Sequence, residues 1–288
     1  MNLSSPAIDR IDKYQFSIIR IILGIYFSFF FFFLIPKTAS LFSSQGMLAD
    51  PTLHETYAYF PSILYWQNSP EFCKIFCILS CISSICLAFG LFRRVAAFLT
   101  WYGLACFWNQ NEIFWSPAMP LVGWLLLCYA FIEKGEPLSV TKKNPSWKLN
   151  PAYKTLALFT LGVAYSFSGI FKFLSPSWID GNAIEDSLKW IWSRDWIYVD
   201  LYLGMPKLIL NCVTWISLFG ELLFLPLCFF KLGRPIAWLV VTMMQINILL
   251  LLDIIDLTTG VLIFHAFVFD VRWLGFLEQW RKRLLSVE

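Results

Sequence analysis

The sequence predicts an all-α, polytopic transmembrane helix bundle with about eight spans. Of its 288 residues, 58% are hydrophobic and only 14% are charged, whereas a soluble domain is roughly 45–50% apolar and about 25% charged. The 14 Trp and 11 Tyr residues are types that favour the membrane–water boundary. The whole chain, residues 1–288, is interpreted as a single transmembrane domain. The net charge of +3 gives no reason to expect a nucleic acid partner.

Eight apolar stretches approach the length of about 20 residues that a helix needs to cross a bilayer. The third and fourth are short and are interpreted as a hairpin around the polar stretch Asn109–Ser116. Seven spans is the alternative count. In order, the predicted spans are Tyr14–Ile35, Phe72–Phe92, Val95–Asn109, Pro117–Ile132, Pro151–Phe173, Leu208–Phe230, Pro235–Leu252 and Leu257–Trp273.

The loop charges predict an orientation. With eight spans, all clusters of Lys and Arg fall on one side, which the positive-inside rule assigns to the cytoplasm together with both termini. Two long loops, Phe42–Pro70 and Ser175–Lys207, then lie on the other side. The second contains Ala183–Trp196, interpreted as an amphipathic helix lying in the interface. The clusters are Arg10/Lys13, Arg93/Arg94, Lys134/Lys142/Lys143/Lys148, Lys231/Arg234 and Arg281/Lys282/Arg283.

Three cysteines, Cys73, Cys77 and Cys81, recur every four residues and therefore share one helix face. They are interpreted as small, buried apolar residues, with a redox or metal role as the alternative. We expect no metal site.

Ionisable residues inside a span cost at least about 2.5–3.5 kcal/mol at the bilayer centre, so each needs a reason. Arg20, near a cytoplasmic end, is interpreted as snorkelling to the surface. Glu221 and His265 lie deeper and either extend a functional pocket or pair between helices.

The predicted topology places several polar residues at the outer end of the bundle. Lys172 ends the fifth span there, and Asn109–Glu112 joins the third and fourth spans. Asp253 and Asp256 follow the seventh span. A polar pocket that opens outward satisfies these groups. The alternative for Asp253 and Asp256 is that they are solvated loop residues.

Lys172 ends a stretch of small residues in which Tyr165, Gly169 and Lys172 share one helix face. Small residues let helix backbones approach closely. Burial disfavours a charged ammonium, which makes a buried lysine usable as a base.

The segment Tyr165–Leu188, YSFSGIFKFLSPSWIDGNAIEDSL, resembles the signature of the HTTM domain, the membrane part of vitamin K-dependent gamma-carboxylases. That signature has a small-Gly-x-x-Lys stretch followed by Trp and Gly, here Ser168-Gly169, Lys172, Trp178 and Gly181. The likeness covers roughly Tyr14–Leu274. Other pieces that resemble compact bacterial members are Arg20-Ile-Ile-Leu-Gly24, Phe42-Ser-Ser-Gln-Gly-Met-Leu48, Pro120-Leu-Val-Gly-Trp124, Glu221-Leu-Leu-Phe-Leu-Pro226 and Asp256-Leu-Thr-Thr-Gly260 with His265.

In the carboxylases the motif lysine is regarded as the base that deprotonates vitamin K hydroquinone. The resemblance therefore implies that Lys172 is the base, and that a quinone or hydroquinone is the cofactor. Tyr165 and Asn111 are expected to place the reacting oxygen, while Glu221 and His265 tune charge or relay protons. The residues expected to bind the quinone are Trp108, Gly169, Trp178 and Gln245.

The chain also departs from the carboxylase pattern. Asn111 stands where the carboxylases carry a histidine after Trp108-Asn109, and Gln245 stands at the place of a second histidine. The large extramembrane domain that recruits a peptide is missing from the sequence. The resemblance is therefore to the short bacterial branch, for which the bacterial inner membrane is the expected location, and full glutamate carboxylation is not expected.

Two functions are compatible with the sequence. The first is a lipid-quinol-using membrane enzyme of the carboxylase or oxygenase type that acts on a peptide or small substrate at the non-cytoplasmic side. The second is a non-catalytic membrane partner in the maturation, export or immunity of a secreted peptide. Membrane lipids, and a secreted peptide or its maturation proteins, are the expected partners. Transport has little support, because we find no inverted repeat.

Overall fold

A computed structural model describes residues 5–47, 50, 52, 55–111, 116–141 and 143–275. Among these residues the regular structure is helical, apart from one isolated antiparallel bridge between Ser193 and Leu252. The all-α prediction is confirmed. The chain divides into two compact units, an N-terminal unit of residues 9–149 and a C-terminal unit of residues 150–288 with residues 1–8.

The N-terminal unit contains four long helices and one short one. Their bounds are α1 Ser5–Leu34, α2 Thr38–Phe42, α3 Pro70–Phe89, α4 Arg93–Gln110 and α5 Ala118–Phe131, with 3₁₀ turns at Ile35–Lys37 and Ile63–Tyr65. Ser69 caps α3, and Pro70 occupies its first turn, where a missing N–H costs nothing. Gly90 ends α3 in the left-handed conformation, with φ of 72°. Because the chain turns at Gly90, the connection from α3 to α4 is short.

The three cysteines Cys73, Cys77 and Cys81 lie on the face of α3 that packs against α1 and α2. The thiols of Cys73, Cys77 and Cys81 donate to the carbonyl groups of Phe42, Phe31 and Ser28. The first two cysteines are fully buried, and Cys81 is 8% exposed. Their interpretation as small buried packing residues is confirmed.

The C-terminal unit contains α6 Pro151–Phe173, α7 Pro176–Ile179, α8 Ala183–Leu188, α9 Ile197–Leu203, α10 Lys207–Leu222, α11 Phe224–Cys228, α12 Gly233–Leu251 and α13 Ile255–Val268. Asn150 caps α6, and Pro151 occupies its first turn. Helices α10 and α11 both pack on α6, and α12 packs on α13.

Each predicted span overlaps helical structure, but Leu208–Phe230 is divided between α10 and α11, and Leu257–Trp273 extends past the end of α13. Among the described residues, four helices are long and apolar enough to cross a membrane: Ala7–Phe42, Pro70–Phe89, Pro151–Phe173 and Gly233–Leu251. Helices α9 and α10, bent by 106°, would give a fifth, and α5 and α13 are shorter apolar helices. The eight-span count and the orientation of the termini stay predictions.

The snorkelling prediction for Arg20 is wrong, because its side chain is fully buried. Arg20 faces Glu136, and Arg93 contacts the same carboxylate at 2.8 Å. We call Arg20, Arg93 and Glu136 the arginine lock. Its guanidinium groups donate to carbonyl groups at the ends of α3 and α5 and in the loop after α5, so they satisfy acceptors that a helix end leaves open. The acceptors are Leu87, Ala88 and Leu138 for Arg20, and Tyr129, Ile132 and Glu133 for Arg93.

The predicted interfacial helix Ala183–Trp196 is also wrong as a continuous helix, because α8 ends at Leu188. Trp192–Arg194 instead pairs with Leu251–Asp253 at the end of α12. Trp190 and Trp192 are exposed, as an interfacial position requires, whereas Trp196 packs against a buried cluster.

Candidate functional site

Lys172 and Glu221 form an ion pair between α6 and α10. The Lys172 Nζ atom donates to Glu221 Oε1 at 2.6 Å, and the side chains are 22% and 3% exposed respectively. Lys172 Nζ also lies 4.4 Å from the centre of the Trp178 ring, a cation–π contact. The structure therefore brings together three residues that the sequence singled out.

Gly169 sets the close approach of α6 and α10. A Cβ atom at this position would lie 2.4 Å from the backbone nitrogen of Leu222 and 3.0 Å from the carbonyl carbon of Glu221. Only glycine fits there, so the expectation that small residues let these helices meet is confirmed. Its role is helix packing beside Glu221.

The helix is interrupted shortly after Glu221, where α10 ends and α11 begins. Ser166 forms hydrogen bonds on both sides of this interruption. Pro226 lacks an N–H, so the carbonyl of Leu222 loses its ordinary helical donor. The Ser166 hydroxyl donates to the carbonyls of Leu222 at 3.1 Å and Glu221 at 3.2 Å, and accepts from the Leu225 N–H at 3.0 Å. Sequence reasoning missed Ser166, although Pro226 was a signal for the break.

A cavity of about 180 Å³ opens beside the pair. Its wall is mostly apolar and includes Lys172, Trp178, Ser217, Met244, Asn247 and Leu251. An apolar protein cavity of about 150 Å³ holds a benzene molecule. One aromatic ring therefore fits beside the Lys172 ammonium.

His265 is held between two hydroxyl groups. The Thr242 hydroxyl donates to the carbonyl of Trp238 at 2.6 Å, so its oxygen accepts from the Nδ1–H of His265 at 2.8 Å. The Nε2 atom then carries the lone pair and accepts from the Tyr165 hydroxyl at 2.8 Å. The expectation that His265 hydrogen-bonds between helices is confirmed. Sequence reasoning missed Thr242.

Two buried acceptors in this unit have no hydrogen-bond donor among the described residues. They are Glu221 Oε2 and Gln245 Oε1, on side chains that are 3% and 7% exposed. Buried polar atoms are nearly always satisfied in proteins, so this region has spare capacity to accept a hydrogen bond.

The remaining predicted residues lie elsewhere. Asn111 belongs to the N-terminal unit, where its buried amide donates to the carbonyl of Leu41 at 2.8 Å. Trp108 lines an apolar groove of the same unit with Trp101 and Trp124. The gathering of Asn109–Glu112 with Lys172 stays a prediction, and Glu112 lies outside the described residues.

Asp253 and Asp256 are both exposed, which agrees with the alternative that they are solvated, but Asp256 lies in the first turn of α13 and not in a loop. Asp253 lies 3.7 Å from Arg194. Neither aspartate lines the cavity beside Lys172. The cavity is therefore more apolar than the polar pocket that the sequence predicted.

No family model, no curated protein and no solved structure matches this chain.

Proposed function

We propose that this protein is a membrane-embedded enzyme that takes a proton from a lipid-soluble, ring-bearing hydroxyl compound of the quinol class. The observation that carries the proposal is the position of the Lys172–Glu221 pair. Lys172 lies on the wall of an apolar cavity that is large enough for one ring, and Glu221 holds its ammonium from the buried side at 2.6 Å. Charged residues inside a membrane bundle generally have functional roles.

The chemistry starts from an ammonium and a carboxylate. An ammonium has no lone pair, so Lys172 first passes one proton across the hydrogen bond to Glu221. The hydrogen bond of 2.6 Å between the two groups gives the proton a direct path for this internal transfer. The neutral Lys172 amine then accepts the proton of a substrate hydroxyl. The O–H bond breaks, its electron pair stays on oxygen, and the restored ammonium lies beside the oxyanion and the face of Trp178.

The likeness of Tyr165–Leu188 to the HTTM signature supports a quinol as the substrate class. We extend the proposal to membership of the short bacterial branch of that family, in the bacterial inner membrane. The product of the reaction would then act on a secreted peptide or a small molecule at the non-cytoplasmic side. Asn111 and Gln245, at the places of two family histidines, set this chain apart from glutamate carboxylases.

The test uses purified protein and a reduced naphthoquinone. The anion of a hydroquinone gives electrons to oxygen more readily than the neutral form does, so deprotonation appears as oxygen-dependent oxidation to the quinone. We expect Lys172→Ala and Glu221→Gln each to lower the rate by roughly 10²–10⁴-fold, the usual contribution of a positioned proton-transfer group. Lys148→Ala removes an exposed lysine that pairs with Asp9 in the N-terminal unit, and should leave the rate unchanged.

Lys172→Ala leaves Glu221 buried and unpaired, which by itself destabilises the fold. The double variant Lys172→Met/Glu221→Gln removes both charges, and we expect it to fold and to be inactive. A wild-type rate in a folded Lys172 variant would refute the proposal.

A second candidate function is non-catalytic binding of a secreted peptide. The observation that favours it is the ion pair itself, because each partner neutralises the other in the resting state. Organic extraction and mass spectrometry of the purified protein separate the two functions. A bound quinone that is lost in Trp178→Ala supports the enzyme. A peptide that co-purifies equally with wild type and Lys172→Ala supports the binding protein.

A further inference from the structure

The chain between α7 and α10 folds over the Lys172 cavity. We call residues 183–203, which comprise α8, α9 and their connection, the cap segment. It contributes Ile184, Leu188 and Tyr202 to the cavity wall. A molecule that enters the cavity from this side therefore has to displace part of the segment.

The inner face of the cap segment rests on α12. Leu188 and Val199 pack against Leu251, and Tyr202 donates to Asn247 Oδ1 at 2.7 Å. The central connection is held by an isolated antiparallel bridge with two backbone hydrogen bonds and by the Arg194 side chain, whose Nε donates to the Leu252 carbonyl at 3.0 Å. The two backbone bonds are Arg194 N–H to the Leu251 carbonyl at 2.9 Å and Asp253 N–H to the Trp192 carbonyl at 2.7 Å. Because an isolated bridge has no neighbouring ladder bonds to support it, it opens locally more readily than a helix does.

The outer face of the cap segment is apolar and aromatic. Leu203 of this segment is 37% exposed, and six further large side chains are exposed by 47% or more, among them Trp190 at 63% and Ile191 at 84%. Trp and Tyr prefer the lipid headgroup level, where one edge of the ring is apolar and the other is wet. The two basic residues of this segment face carboxylates, Lys189 that of Glu185 and Arg194 that of Asp253, so the case for a lipid contact rests on the aromatic and apolar side chains. The six side chains are Trp190, Ile191, Trp192, Ile197, Tyr198 and Leu201.

We infer that the cap segment rests on the headgroup–acyl boundary of the bilayer, and that its opening at the Ser193–Leu252 bridge is the route by which a lipid-soluble ligand reaches Lys172. Glycines flank the segment at Gly181 and Gly204, close to both of its ends. The inference deepens the proposed function and rests on it for the identity of the ligand. The route itself follows from the cavity wall, the bridge and the exposed aromatic face.

A reversible cross-link tests the route. Ser193 and Leu252 face each other between the two hydrogen bonds, so they form a non-hydrogen-bonded antiparallel pair, with Cα atoms about 4.5 Å apart. That spacing lies within the disulfide range of about 4.4–6.8 Å. Ser193→Cys/Leu252→Cys should therefore cross-link under mild oxidation and lock the cap segment closed.

The reporter is a thiol on the cavity wall, Ser217→Cys, in a background in which the exposed Cys212 is replaced by serine. The protein is placed in lipid vesicles, and N-phenylmaleimide, a small lipid-soluble aromatic probe, is added. Labelling of position 217 is followed by peptide mass spectrometry. We expect labelling in the oxidised double-cysteine protein to be about tenfold slower or more than in the oxidised Ser193→Cys control, because labelling follows the open population. A reductant should restore the rate.

Equal labelling rates in the locked and control proteins would overturn the route, as would failure of the two cysteines to cross-link. Neither result depends on turnover by Lys172. If the lock has no effect while Lys172→Ala loses activity, the route is wrong and the proposed function stands. If the lock slows labelling while Lys172→Ala retains activity, the route stands without the proposed chemistry.

The lipid contact is tested by tryptophan fluorescence in brominated lipids. Trp190→Phe/Trp192→Phe should remove a lipid-quenched component, whereas Trp147→Phe, at a 5% exposed position, should not. Unchanged quenching in the double variant would overturn the contact with lipid.

Discussion

The two units bury charge in different ways. In the arginine lock, each guanidinium donates to three backbone carbonyls and faces Glu136. In the C-terminal unit, Lys172 makes one ion pair at the edge of a cavity, and Glu221 keeps one oxygen without a donor among the described residues. Arginine cannot be deprotonated in proteins, whereas lysine can. The first arrangement fixes helix ends, and the second leaves room for proton transfer.

The difference shows that an ionisable residue in a span is a weak signal by itself. Arg20 and Lys172 both lie in predicted spans, yet Arg20 is fully buried whereas Lys172 lies on the wall of a cavity. The number of backbone acceptors around the charge separates the two cases. The arginines surrounded by carbonyls hold helix ends together, while the lysine with one partner beside a cavity is the residue on which the proposed chemistry rests.

The largest effect is expected from breaking the arginine lock. Glu136→Gln leaves two buried guanidinium groups without a counter-charge, and removing one partner of a buried ion pair typically costs about 3–5 kcal/mol. The midpoint of thermal unfolding in detergent should fall accordingly. Glu133→Gln changes an exposed neighbour and should leave the midpoint unchanged. Equal midpoints for Glu136→Gln and wild type would show that the lock does not stabilise the fold.

The helix positions could be predicted from the sequence, but the lock could not. Long apolar stretches, the Pro70 and Pro151 starts and the Gly90 turn are local signals, and each predicted span overlaps helical structure. Glu136 lies in a loop, and its contact with Arg20 spans more than one hundred residues. Arginine's long side chain can reach either the surface or the interior. The Arg20 side chain points inward because it donates to the carbonyls at the Gly90 turn. No local sequence pattern shows this contact.

The candidate site was predictable in part. The type and surroundings of Lys172 pointed to function, and Gly169 indicated close packing. Glu221 was predicted only as a deep charge that extends a pocket or pairs between helices. Its ion pair with Lys172 at 2.6 Å was not specified. Thr242 and Ser166 were missed, because hydroxyl residues are common in helices and their bonds to His265 and to the Leu222 carbonyl depend on tertiary packing.

The next effect in size concerns the helix contact that positions Glu221. Gly169→Ala places a Cβ atom 2.4 Å from the Leu222 nitrogen, and overpacking of this kind costs about 1–3 kcal/mol. Gly123→Ala is the matched control, because its Cβ would meet only Trp101 at 3.6 Å, an ordinary contact. We expect Gly169→Ala to lower both the thermal midpoint and the quinol oxidation rate. If both glycine variants behave alike, close packing at Gly169 does not position the pair.

The smallest effect on the thermal midpoint is expected at a third arrangement of charges, the exposed ion pairs of Glu185 with Lys189 and Lys207. Hydrogen bonds from Lys189 and then Lys207 lower the pKa of Glu185 from 4.5 to about 2. A lowered folded-state pKa gives stability that is present above the unfolded value near pH 4.5 and is lost as the pH falls towards about 2. Exposed pairs contribute little, so Glu185→Gln should lower the thermal midpoint at pH 7 far less than Glu136→Gln does. That small difference from wild type should shrink between pH 4.5 and pH 3, as measured by thermal unfolding in detergent at each pH. A difference that stays constant over this range would mean that the two lysines do not stabilise the Glu185 carboxylate.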